Sequence, residues 1–181
     1  MISRAALEVC ILAGGLSTRM GRDKARLRID GQTMLARVRA TASQAFSPET
    51  RVRVIRKDQV RRCGPLGGIV TGLRTTKARA VLFLACDMPL VFPALLKRIV
   101  RASIRGERAV FAAQSRRVGF PLVLPMACLA RVEEQIAAKE FSIHALAKKL
   151  RAHHITVRAN SRELFNVNMP EDMALARTLL R

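Results

Sequence analysis

The chain has 181 residues, 50% of them hydrophobic, enough for one domain built around a single sizeable core; collagen, coiled-coil and disordered classes fit that composition poorly. The unusual quantity is charge: 33 Lys+Arg against 13 Asp+Glu give a net +20, carried by 26 Arg and only 7 Lys. Such a balance calls for anionic partners, whether phosphorylated small molecules, nucleic acid or an acidic membrane face, and says nothing about fold.

In chain order, short β-type apolar runs alternate with helical periodicity, the pattern of an α/β protein with a largely parallel sheet. Leu7 to Leu12 predicts a first strand that ends in a glycine turn at Gly14 and Gly15. A helix over Thr33 to Ala45, a strand over Arg51 to Arg56 and a short helix over Gly68 to Thr75 follow. Ala80 to Ala85 is apolar throughout and suits a central strand buried on both faces. A helix over Phe92 to Ser103 returns with Leu95, Ile99 and Ala102 on one side. Ala109 to Ala113 and Pro121 to Leu124 read as strands; Leu129, Val132 and Ile136 mark one helix, and Ile143, Leu146 and Leu150 another. A strand near Ile155 to Arg158 and a last helix from Glu171, with Met173, Ala176 and Leu180 inward, close a single domain over residues 1–181.

Charge is unevenly spread along this order. Residues 1–120 hold 24 basic and 7 acidic side chains, a net +17, whereas residues 121–181 hold 9 and 6, a net +3. No run of five like charges occurs, so the excess is no appended basic tail. The four cysteines, Cys10, Cys63, Cys86 and Cys128, are too scattered for a zinc site or a disulfide scaffold and read as reduced core residues. The longest apolar run, Ala80 to Cys86, has 7 residues, against the roughly 18–20 a membrane span needs, and Glu8 interrupts what could pass for a signal-peptide core. A soluble, cytoplasmic protein is the expectation, without a membrane partner.

Four segments carry chemistry. Leu12-Ala13-Gly14-Gly15-Leu16-Ser17-Thr18-Arg19-Met20-Gly21-Arg22-Asp23-Lys24 follows the first strand directly. Its glycines let backbone approach a ligand, its amides can form an anion-binding nest, and Arg19 and Lys24 add charge where phosphates would lie. Neither a Walker A loop nor a G-x-G-x-x-G fingerprint fits the spacing. Asp87, in Cys86-Asp87-Met88-Pro89-Leu90, follows the buried strand at the place where open α/β sheets bind ligands; a lone hard carboxylate there suits Mg²⁺, and a turn-forming Asp ahead of Pro89 is an equal reading. Gly64-Pro65-Leu66-Gly67-Gly68-Ile69 places glycines at a helix N-terminus, which favours an anion or a base edge. In Phe165-Asn166-Val167-Asn168-Met169-Pro170-Glu171-Asp172, the spacing of Asn168 and Glu171 predicts a capping box.

Together these segments resemble the nucleotidyltransferase family that includes the molybdenum cofactor guanylyltransferases, over nearly the whole chain. Leu12 to Lys24 is similar to the signature L-A-G-G-x-S-x-R-M-G-x-D-K, Gly64 to Ile69 to G-P-L-A-G-I, Cys86 to Leu90 to C-D-M-P, and Phe165 to Met173 to F-x-N-x-N-T-P-E-D-L. The resemblance implies a Rossmann-like, three-layer α/β fold with a mostly parallel sheet. It implies transfer of GMP from GTP to the terminal phosphate of molybdopterin or molybdenum-molybdopterin with release of pyrophosphate, and transient contact with molybdoenzymes or their chaperones. Carried over residue by residue, Leu12, Ala13, Gly14 and Gly15 contact the nucleotide, Lys24 and Arg19 the phosphates, Asp58 the nucleotide, and Asp87 both nucleotide and Mg²⁺.

The pattern departs in places. Val52 to Cys63 is shorter than the corresponding family segment and has no Asn; Gly67-Gly68 replaces the usual Gly or Ala pairing at no obvious cost, and Met169 stands for Thr. Gly119-Phe120-Pro121 keeps part of a segment the family directs at its acceptor. CTP-dependent transfer to the same acceptor, transfer to a sugar phosphate, and non-catalytic cofactor binding stay open as alternatives. A nucleic-acid-binding module is disfavoured, because Trp and Tyr are absent and no such motif occurs. The acceptor is already anionic, so no general base is needed, and His144, His153 and His154 are expected at structural or surface positions.

Overall fold

The computed structural model describes residues 6–14, 24–60 and 62–180, with Lys24 described through its backbone alone. In chain order the elements are β1 (Leu7–Leu12), a 3-10 turn (Lys24–Arg26), β2 (Arg28–Ile29), β3 (Gln32–Thr33), α1 (Met34–Ala45), β4 (Arg51–Ile55), α2 (Pro65–Thr75) and β5 (Ala80–Ala85). Then come α3 (Pro93–Gly106), β6 (Val110–Gln114), β7 (Arg117–Pro125), a second 3-10 turn (Met126–Cys128), α4 (Leu129–Ala137), α5 (Ile143–Lys149), β8 (His153–Val157) and α6 (Pro170–Leu180).

Six strands form one sheet in the order β4-β1-β5-β7-β6-β8. β1 pairs in parallel with β4 and β5, and β6 with β8, while β7 runs antiparallel to both its neighbours. The sheet is thus mixed and mostly parallel, as the alternation of elements predicts. Period-two side chains explain its two covered faces. Leu7, Val9 and Ile11 of β1 with Leu82 and Leu84 of β5 pack on α1 and α3 through Val38, Ala42, Leu95, Leu96 and Ile99. The alternate residues, Cys10 with Val81 and Phe83, pack on α2, α4 and α5 through Ile69, Leu73, Val132 and Leu146. A small third cluster joins Ile29 and Met34 to Val167 and Ala176, with Met173 and Leu180 beside it, so α6 faces inward on the predicted residues.

Local chemistry sets several boundaries. Thr33 is the N-cap of α1, its hydroxyl accepting from the Ala36 N–H at 3.1 Å. β2 and β3 form a hairpin too short to show in the sequence pattern; Asp30 and Gly31 take φ of 46° and 79°, the doubly left-handed turn that Asp-Gly favours. α2 starts at Pro65 rather than at Gly68 as predicted, because proline's fixed φ suits the first helical position. The capping box predicted for Asn168 and Glu171 does not form. Asp172 Oδ2 instead accepts from the Asn168 and Met169 N–H groups at 2.7 and 2.9 Å.

One charge interrupts the apolar packing of β1. Glu8 is 3% exposed and is paired with Arg53 of β4, and Thr76 Oγ1 donates to its Oε2 at 3.0 Å. Arg53 also donates to Thr75 Oγ1 at 2.8 Å and to the Gly72 carbonyl at 3.2 Å, so the buried carboxylate ties two strands to the end of α2. Beside it, burial pushes the Cys10 thiol up to about 12, which keeps it protonated. Cys10, Cys63 and Cys86 are buried, and none of the four cysteines is in a disulfide. Among the described residues no helix is long and apolar enough to cross a membrane.

Candidate active site

The carboxyl edge of β1 is where the sequence motifs meet. β1 lies between β4 and β5, and its last turn is held from both sides: Ala13 N donates to the Ile55 carbonyl at 2.8 Å, and Cys86 N donates to the Leu12 carbonyl at 3.1 Å. The residues after β4 and after β5 therefore emerge on either side of Leu12–Gly14, from strand ends about 10 Å apart, two strand spacings. Gly14 passes so close to β4 that a Cβ would lie 3.0 Å from the Arg56 carbonyl oxygen.

Asp58 arrives from the β4 side. Its carboxyl group rests over three glycine backbones: Cβ atoms placed on Gly14, Gly67 and Gly68 would fall 3.6, 3.0 and 3.3 Å from its oxygens. Gly64, with φ 55°, turns the chain so that the first turn of α2 presents Gly67 and Gly68 to this carboxylate. Thr71 clamps the arrangement, accepting from the Gln59 N–H at 2.9 Å while donating to the Gly67 carbonyl at 2.8 Å. Burial raises the Asp58 carboxyl above its ordinary value of 3.8. Thr71 was not anticipated; its one signal is a hydroxyl four residues after Gly67 on a helix.

Glycine at position 67 also has a structural cost attached to its replacement, contrary to its reading as a neutral departure. A Cβ there would meet the Val60 carbonyl oxygen at 2.5 Å, because the short segment between β4 and α2 lies directly on the helix.

Asp87 arrives from the β5 side, half-buried in the turn after the strand. Its backbone carbonyl accepts from Val167 N at 2.8 Å, which brings the Asn166 to Met169 segment to the same edge. β7 contributes through its reversed direction. Leu122 is level with Phe83 in the antiparallel pair, so Gly119 to Pro121, which precede Leu122 in β7, lie toward the carboxyl end of β5 from which Asp87 emerges.

The structure thus brings together Leu12, Ala13, Gly14, Asp58, Asp87, the N-terminal turn of α2 and the segment around Val167. Lys24 has its backbone at the start of the 3-10 turn that returns to the sheet with Ala25 in the core. Gly15 and Arg19 lie outside the described residues. His144, His153 and His154 are exposed, and among the described residues no three His, Cys, Asp or Glu side chains form a metal-binding group.

An open α/β sheet with glycine turns, two carboxylates and a helix N-terminus gathered at its carboxyl edge defines a protein of the nucleotide-binding α/β class. The chain belongs to the MobA-like NTP transferase family, whose model matches residues 9–157. It is 31% identical to a molybdenum cofactor guanylyltransferase of Pseudomonas entomophila (strain L48), over 92% of this chain and 97% of that protein. In fold it is similar to molybdopterin-guanine dinucleotide biosynthesis protein A of Archaeoglobus fulgidus, with a TM-score of 0.72 and 17% identity over 96% of this chain and 98% of that one. A manganese complex of Rv0371C from Mycobacterium tuberculosis H37Rv is similar at a TM-score of 0.68, with 17% identity over 96% and 98% of the two chains.

Proposed function

We propose that this protein transfers GMP from GTP to the terminal phosphate of molybdopterin, forming the guanine dinucleotide cofactor and releasing pyrophosphate. One observation carries the reading: the described parts of the four motif segments meet at the edge of β1 and β5 in a chain that is 31% identical to a guanylyltransferase along nearly its whole length. Residues 1–181 act as a single domain, and GTP supply together with four cysteines in the thiol form fits a cytoplasmic reaction.

The roles follow from the motif segments and, for the described residues, from their position. The amides of Leu12, Ala13, Gly14 and Gly15 receive the nucleotide, with Lys24 and Arg19 countering charge on its phosphates. Asp58, an acceptor when ionised, takes hydrogen bonds from the adjacent N–H donors of a guanine edge; the glycines beneath it leave room for its carboxyl group. An acceptor phosphate oxygen attacks the α-phosphorus in line; the bond from that phosphorus to the bridging oxygen breaks, and pyrophosphate leaves with the electron pair. Positioning and charge neutralisation are the main requirements, since a phosphomonoester is anionic without a base.

Asp87 is the residue that would hold Mg²⁺. Its carboxylate stands half-buried in the turn after β5 and suits a hard cation that takes one or two protein carboxylates and fills its shell with water and phosphate oxygens. Bound there, the cation supplies neutralisation of negative charge on the reacting phosphate. Asn168 is an auxiliary contact at the same edge.

The test is pyrophosphate release by the purified protein with Mg²⁺ and molybdopterin, comparing GTP, CTP, ATP and UTP. Turnover with GTP alone is expected, and it should disappear in Lys24→Ala with the melting temperature unchanged. A preference for CTP, or release without molybdopterin at the same rate, would overturn the assignment.

A further inference from the structure

Part of the positive charge that the site leaves over stands on α3 and the loop beside it. α3 carries Lys97, Arg98, Arg101 and Arg105, all exposed, and no acidic residue along its length. At about 100° per residue, Arg98, Arg101 and Arg105 fall within roughly 60° of one another, a single stripe opposite the core side of the helix. Among the described residues none of these four side chains has an ion-pair or hydrogen-bond partner.

Opposite the stripe, the loop after β8 adds Arg158 and Arg162. Between helix and loop lies an open hollow of about 630 Å³, lined by Phe92, Arg98, Thr156, Arg158, Asn160 and Arg162 among others. This wall is held in place from behind: Gln114 Nε2 donates to the carbonyls of Arg158, Ala159 and Ser161 at 2.9, 3.2 and 2.7 Å. Glu163 is the single carboxylate on the lining. Two large apolar side chains stand exposed at the ends of the helix, Phe92 at 41% and Ile104 at 42%. They are about 18 Å apart along the axis at 1.5 Å per residue.

We propose that this face docks an acidic protein segment that also carries apolar side chains. Uncompensated guanidinium groups in one stripe repel one another and are relieved by carboxylates placed between them. Arginine with exposed Phe and aliphatic anchors is the make-up of a protein interface. A duplex phosphate backbone offers nothing to Ile104, and a flat bilayer does not enter a hollow.

Fluorescence anisotropy of the full chain with a labelled 15-residue peptide alternating Glu with Leu tests this, with duplex RNA and phosphatidylglycerol vesicles as competitors. Binding that weakens with salt is expected. Arg98→Glu/Arg101→Glu/Arg105→Glu should weaken it at least about tenfold while pyrophosphate release stays at the wild-type rate. Ile104→Ser should weaken the peptide severalfold and leave RNA and vesicle signals alone. Should the triple Glu chain melt early, the triple Ala chain replaces it. Tighter binding of RNA or vesicles than of peptide, no peptide binding, or unchanged peptide binding in either variant overturns the proposal.

Discussion

Replacing Gly67 by alanine probes the tightest contact in the site. The new methyl would sit 2.5 Å from the Val60 carbonyl oxygen and 3.0 Å from Asp58 Oδ2. An ordinary contact begins at 3.4 Å, so the Val60 backbone must retreat by about 0.9 Å, and Asp58 lies only two residues away on the same short segment. Two effects oppose each other in stability. Alanine in a helix gains about 1 kcal/mol over glycine, while overpacking against an atom that cannot rotate away costs about 1–3 kcal/mol. The sum predicts a loss of about 0–2 kcal/mol, read from urea denaturation midpoints. Nucleotide affinity should suffer more. A charged hydrogen bond pulled out of reach is worth about 1.5–3 kcal/mol, which corresponds to roughly ten- to a hundredfold weaker GTP binding by calorimetry. Gly119→Ala, whose Cβ meets nothing within 4 Å, serves as the neutral control. A Gly67→Ala protein as stable as wild type and equally tight for GTP would refute the claim that the segment after β4 is pressed onto α2.

Three further outcomes follow from the site and the core. Asp87→Asn keeps the backbone carbonyl that receives Val167, so the protein should melt normally yet lose pyrophosphate release by at least about a hundredfold; retained turnover would remove Asp87 from the reaction. Asp58 is raised by burial, so its folded value exceeds its unfolded one, and its contribution to stability is present at low pH and lost as pH rises through the folded value. Asp58→Asn should therefore gain stability relative to wild type between pH values just above 3.8 and neutrality, with weaker GTP binding; parallel urea midpoints across that window would contradict the burial argument. Glu8→Ala strands the Arg53 guanidinium against β1 and should cost about 3–5 kcal/mol, whereas a loss below about 1 kcal/mol would show that the pair is dispensable.

Local pattern was enough where burial is complete. β1 and β5 have the predicted limits because both are largely apolar and covered on two faces, and α3, α4, α5 and α6 were signalled by their inward stripes. The chemistry-bearing segments were equally legible, since glycine turns and lone carboxylates at strand ends are features of adjacent residues. What the pattern did not carry is pairing at a distance. The reversal of β7, the burial of Glu8 against Arg53, the cap on α6 by Asp172 and the clamp at Thr71 each depend on partners supplied by another element or on which of two neighbouring carboxylates reaches back. Gly67 shows the difference most plainly. Its sequence neighbours made it a harmless variation, and only the packing of the short segment on α2 made a side chain there impossible without movement. The arginine excess follows the same division: composition announced an anionic partner, while the fold decided that three of those arginines stand in one stripe on α3, a helix with no carboxylate of its own.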